Sequence, residues 1–159
     1  MIIKDLPLGS LVKDPNTKYN GKPIVWKLVG KDLAGYPANS ATLMTNNIIS
    51  IKTFDAKEPS NSNTNRQTSG NNRWLYSNMR QWLNSTKPSP WFTATNSSDT
   101  PPSSGSNGNS YDTEDGFLTN FSSDFANRIL KTDLKTIVPS VDGGGVETVQ
   151  DNVFLFSMT

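Results

Sequence analysis

Histidine and cysteine, the side chains behind most nucleophilic triads and zinc sites, are both absent from these 159 residues. Imidazole-assisted hydrolysis, thiolate chemistry and disulfides are therefore excluded. Proton transfer would fall to fourteen carboxylates, with lysine, tyrosine and serine as the remaining reactive groups. A glycosidase needs two carboxyls about 5–9.5 Å apart. No spacing singles out such a pair, so a carboxylate-based polysaccharide hydrolase stands third among the functional readings.

The densest acidic run is Asp112-Thr113-Glu114-Asp115-Gly116. Alternating oxygen ligands before a glycine suit calcium. Asp112, Glu114 and Asp115 are thus the candidate metal ligands, and Ca²⁺ is the one cofactor the sequence offers. The run lacks the later bidentate glutamate of a twelve-residue calcium loop. A simpler account has Asp112 or Thr113 capping a short helix over 114–120, with acids in its first turn. Asp142-Gly143-Gly144-Gly145 has backbone N–H groups to offer an anion. Neither a following Lys-Ser/Thr pair nor a helix supports that, and a hairpin connection is expected.

The aromatic side chains divide in two. Trp26, Trp82 and Phe154 lie in apolar-patterned segments and read as core. Trp91, Phe92 and Tyr111 stand in a polar loop and are the candidate ligand-binding residues, because rings beside amides and hydroxyls suit sugar or protein contact. The alternative is that they tuck beneath the loop and anchor it.

Several elements must position these groups. Residues 1–12 read as an extended entry. Asp14-Pro15-Asn16 signals a turn, and Asn20-Gly21 a hairpin. Pro23 to Gly30 and Ala41 to Thr45 read as strands, and Ile48-Ile49-Ser50-Ile51 continues the second or begins another, giving an antiparallel meander. Residues 55–72 hold no apolar side chain except Ala56 and read as a long solvated loop. Leu75, Met79, Trp82 and Leu83 have helical spacing, and Ser77 offers a cap for a shorter helix. Residues 85–113 form a second polar loop. Phe121, Phe125 and Ile129 mark a helix capped by Ser122 or Ser123, with Asp124 in its first turn and Phe117 and Leu118 packed just before it. Lys135-Thr136-Ile137-Val138 and Val146 to Val149 read as strands, and Asn152 to Ser157 as the most strand-like run. No internal repeat occurs.

Together these elements predict one α+β domain over 1–159: a mixed, mainly antiparallel sheet, two short helices and long polar loops. The apolar supply is thin, at 33% of residues, and buried aromatics supply much of the core. Serine, threonine and asparagine number 19, 16 and 18, one third of the chain, against 18% charged residues and a net charge of +1. Scattered basic residues leave no footprint for nucleic acid or a membrane surface. No run approaches the ~18 apolar residues of a spanning helix, and Met1 to Pro7 does not read as a signal peptide.

Four segments carry a resemblance. Gly21-Lys22-Pro23-Ile24-Val25-Trp26, Trp74-Leu75-Tyr76-Ser77-Asn78-Met79-Arg80-Gln81-Trp82-Leu83-Asn84, Gly116-Phe117-Leu118 and Asp151-Asn152-Val153-Phe154-Leu155-Phe156-Ser157 resemble, in order, the bacterial and phage family called domain of unknown function 6273. The middle motif is the specific one. The resemblance implies an α+β domain, often encoded in prophages and in surface or secreted bacterial proteins, with an arrangement similar to the C-type-lectin-like fold. It transfers no catalytic residue. Family members usually continue past the last strand, whereas this chain ends at Met158-Thr159, so the resemblance implies the N-terminal portion of something longer.

The functional expectation is a non-enzymatic virion module, made in the host cytoplasm and sited on a tail fibre, baseplate or capsid surface. It would assemble as a homo-oligomer with other virion proteins and contact host surface glycan or protein. The runner-up is a purely structural or decoration subunit packed on neighbouring chains.

Overall fold

A computed structural model describes residues 2–103 and 109–156. Residues 104–108 of the second polar loop, and Ser157 to Thr159, lie outside the described residues. The class is α+β: antiparallel strands with short helices. The described residues fall into two compact units, one built from 2–50, 120–134 and 150–152, the other from 51–103, 109–119, 135–149 and 153–156.

The first unit is built on the meander β1 (Leu11–Tyr19), β2 (Lys22–Lys31) and β3 (Ala41–Thr45), in that order and antiparallel throughout. Asn20 and Gly21 both adopt positive φ, +49° and +74°, as a two-residue hairpin turn of the primed type requires. Asp14-Pro15-Asn16 does not end β1 as expected. It forms an irregularity inside it, where the register shifts between Lys13 and Lys18, and an edge-strand irregularity tolerates proline's missing N–H. The Asp14 carboxylate gathers that irregularity by accepting from Asn16 N, Thr17 Oγ1 and Ser122 Oγ. These bonds hold its carboxyl below its usual range, the Ser122 hydroxyl most of all.

Ser122 also accepts from Phe125 N at 3.2 Å, capping α3 (Ser123–Ala126). That helix is one turn long, and Ile129 lies outside it. It serves to aim Phe125, stacked on Trp26 with centroids 5.9 Å apart, while Phe121 meets Trp26 edge-on at 6.0 Å. Ile48 to Ile51 forms no strand, and Ile48 and Ile51 are both exposed.

The second unit carries α1 (Thr64–Ser69) and α2 (Asn78–Leu83). Strands β4 (Thr132–Ile137) and β5 (Val146–Asp151) form a two-stranded sheet. Asn152 to Phe156, expected as the strongest strand, is irregular, and Leu155 and Phe156 are exposed. Asn84 explains the difference: its amide donates to Val153 O at 2.8 Å and accepts from Val153 N at 3.1 Å. The backbone groups a ladder would need are already taken there. Phe154, read as core, is only half-buried.

Candidate functional site

Helix α2 has six residues, too few to stand without help at its ends. Three of its first N–H groups each find an acceptor. Arg80 N donates to Ser77 Oγ at 3.2 Å, Met79 N to Phe54 O at 3.0 Å, and Asn78 N to Asp55 Oδ1 at 2.9 Å. The Ser77 cap is the alternative the sequence offered, although Trp74–Tyr76 before it is a 3-10 turn instead of an extended stretch.

Asp55 is the centre of this arrangement. Its second oxygen accepts from Asn71 N at 2.6 Å, while Asn78 Oδ1 accepts from Ala56 N at 2.8 Å. The Asn78 amide also reaches Asp99 at 3.3 Å, and Asp99 accepts from Thr95 N at 2.8 Å. Glu58 accepts from Asn61 and Asn96 side chains. Asp55 and Glu58 are 2% and 0% exposed, so the run expected to be solvated over 55–72 is threaded by a buried polar network. Burial pushes the Asp55 carboxyl up to about 7. The Asn71 and Asn78 N–H groups act against that, and the nearby Asp99 and Glu58 charges add to it.

The network also explains α1, which sequence periodicity missed. Thr64–Ser69 has no apolar stripe to read, and Asn63 was its only signal. The Asn63 side chain accepts from both Asn65 N and Arg66 N. Arg66 then pairs with Asp142 at 2.7 Å, and Arg73 grips Glu147 through two bonds of 2.8 and 2.6 Å while lying 4.6 Å from the Tyr76 ring.

Candidate aromatic residues Trp91 and Tyr111 are 3% and 0% exposed. Their rings face the interior, which corrects the expectation that they present themselves to a ligand. They stack on one another at 5.5 Å and 13°, and Tyr111 meets Trp82 edge-on at 5.6 Å. Every polar atom of the three is used: Trp91 Nε1 donates to Tyr111 O, Trp82 Nε1 to Asp115 O, and the Tyr111 hydroxyl to Thr53 O. Burial pushes the Tyr111 phenol well above its ordinary value. Phe92 is half-buried and packs edge-on against Trp91 at 6.4 Å. Rings of this size could not be left in a loop with so thin a core, and burying them anchors it. Trp91→Phe keeps an aromatic face but replaces the indole by a smaller phenyl and loses the bond to Tyr111 O. It should lower stability by about 1–2 kcal/mol in urea titration, without opening the loop to protease.

The Glu114 and Asp115 carboxylates of the acidic run are also committed to the protein. Glu114 pairs with Lys52 at 2.5 Å, and the Lys52 ammonium lies 4.6 and 4.9 Å from the Trp82 and Tyr111 rings. Asp115 accepts from Ser89 N, and the Asp112 carbonyl from Ser89 Oγ. Among the described residues, no three Asp or Glu side chains gather in a metal-holding arrangement. Asp112, Glu114 and Asp115 do not fit a calcium site. The short helix expected over 114–120 reduces to a 3-10 turn at Phe117–Asn120.

Hydroxyl and amide side chains face solvent in these segments, interspersed with exposed Pro59, Lys87, Pro88, Pro90, Ala94 and Pro101. Ser60, Ser62, Thr64, Asn65, Gln67, Thr68 and Ser69 are exposed in the first, as are Thr86, Ser89, Thr93, Thr95 and Ser97 in the second. The site is a fixed polar surface over a buried polar and aromatic support.

This is an α+β module whose specific motif, Trp74 to Asn84, supplies the Ser77 cap, the Asn78 bridge, the Trp82 ring and the Asn84 clamp. The chain is a member of the family described as domain of unknown function (DUF6273), which matches residues 39–159. The resemblance at Gly21 to Trp26 lies outside the matched residues. No curated protein and no solved structure matches the chain.

Proposed function

We propose that this chain is a non-catalytic recognition module of a phage or prophage particle, contacting host surface glycan or protein through the polar segments 55–72 and 86–103. One observation carries the reading. The large rings and the buried carboxylates of these segments are spent on holding the backbone, so their outward face offers hydroxyls and amides, set among a few prolines and Lys87, on a backbone held from beneath. Such a surface meets sugars and peptides by hydrogen bonds at low ordering cost, because the loops are organised before contact. The family resemblance implies a C-type-lectin-like arrangement, short elements carrying long loops, and that likeness speaks to fold and not to function. The setting that the family resemblance implies, in prophages and surface proteins, supports the compartment.

A hydrolase needs an accessible carboxyl with a shifted pKa. Asp55 has the shift, but both of its oxygens hold backbone N–H groups beneath the surface. A structural virion subunit is the second reading, favoured by the exposed Ile137, Val141 and Val146 side chains.

The folded chain should bind host cells or a glycan array, and a Thr64→Lys/Gln67→Glu/Thr93→Lys variant should lose that binding at an unchanged melting midpoint. Absence of binding by the folded chain would sink the proposal, as would a variant that binds as well as the native protein.

A further inference from the structure

We infer that β4 is a self-pairing edge, through which two copies of this chain join their β4–β5 hairpins into one four-stranded antiparallel sheet. The hairpin's own register comes first. Lys135 Nζ reaches Thr148 Oγ1 at 2.6 Å, Gln150 Nε2 reaches Asp133 Oδ1 at 2.8 Å, and Val138 N donates to Gly145 O at 3.0 Å. All three place residues opposite one another in a single antiparallel register, with Ile137 across from Val146.

In such a ladder, backbone groups point alternately toward and away from the partner strand. Val138 points toward β5, so Thr136, Leu134 and Thr132 do as well. Asp133, Lys135 and Ile137 therefore turn their N–H and C=O groups to the open side. Among the described residues, β4 has β5 as its only strand neighbour. It thus presents an edge that natural sheets normally cover, bend or charge.

The charges on this edge have a pattern. Lys131, Asp133 and Lys135 are exposed at alternate positions, and neither Asp133 nor Lys135 has an oppositely charged partner among the described residues. An edge charged only to repel would carry one sign. This one alternates, and it is self-complementary. A twofold axis at Leu134 sets Asp133 of each copy against Lys135 of the other, twice over. It sets Lys131 against Ile137, whose side chain is 62% exposed and would lie under the lysine's alkyl stem. In that register the residues that meet are those whose backbone groups face outward. Side-chain complementarity and main-chain pairing select the same alignment.

Light scattering across a concentration series of the full chain tests this. The native protein should run at twice the monomer mass. Asp133→Lys and Lys135→Asp each place like charges opposite one another at two symmetric points. Each should weaken the dimer on the order of tenfold or more. The double variant, Asp133→Lys with Lys135→Asp, restores both pairs in reversed sense and should restore the dimer. Both positions are exposed, so melting midpoints of all three variants at monomer-only dilution should match the native one. A monomeric native chain, single variants that dimerise undiminished, or a double variant that stays monomeric would each overturn the inference.

Discussion

Gly70→Ala should cost more than about 4 kcal/mol and leave little folded protein. Gly70 closes α1 at φ +77°, ψ −172°, a backbone conformation essentially confined to glycine. A Cβ there would also sit 2.4 Å from the Ala56 carbonyl oxygen and 2.9 Å from that of Asp55. Neither neighbour can retreat: Ala56 N is bonded to Asn78, and Asp55 holds Asn71 N one residue further on. Strain and overlap therefore add. Gly144→Ala separates them, because Gly144 has φ +72° with nothing within 4 Å of its would-be Cβ. That control should lose only about 1 kcal/mol. Thermal melts of the two variants side by side check the argument, and equal losses would mean that the close approach at Ala56 contributes nothing.

Asp55→Ala should cost about 3–5 kcal/mol. It strands two buried donors, Asn71 N and Asn78 N, at about 1–3 kcal/mol each, and α2 loses one of its three N-terminal acceptors. Asp55→Asn retains the shape but turns an amide N–H₂ toward one of those donors, so it should fall between alanine and native. The pH dependence has a definite sign. The folded carboxyl titrates near 7 and the unfolded one near its ordinary value of about 3.9. The folded state thus holds the proton more tightly. Its contribution is complete below about pH 4 and is lost as pH rises toward and through 7. The native urea midpoint should fall over that window by an amount equivalent to a few kcal/mol, and the slope should flatten in Asp55→Asn. A native midpoint that rises between pH 4 and 7 would contradict the burial-driven shift.

Features of the fold that depend on neighbours in sequence could be read in advance. Asn20-Gly21 located the first hairpin, Ser77 and Ser122 located two helix starts, and Trp82 and Phe117 were recognisable as interior. The site was far less legible. Asp55, Glu58, Asn71 and Asn78 look like any other polar residues in a Ser/Asn-rich run. Their burial is caused by partners up to 38 positions away, as Glu58 and Asn96 illustrate, and no local period records that. Trp91 and Tyr111 were found, but composition alone could not say on which side of the loop their rings lie. The strand expected at Asn152 to Ser157 failed over its described part for a comparable reason: a single side chain, Asn84, outcompetes ladder pairing from 69 positions away.

The interleaving of the two units bears on how the polypeptide can be cut and how it must fold. Each unit is assembled from separated stretches of chain, so no single cleavage yields either one intact. The family-matched stretch begins at residue 39, after β1 and β2 but before β3. Excised alone, it would carry β3 without the strand that receives its hydrogen bonds, together with Phe121 and Phe125 without Trp26. An interleaved chain also closes large loops before native contacts repay their entropy. Folding should accordingly be slow for a chain of this length.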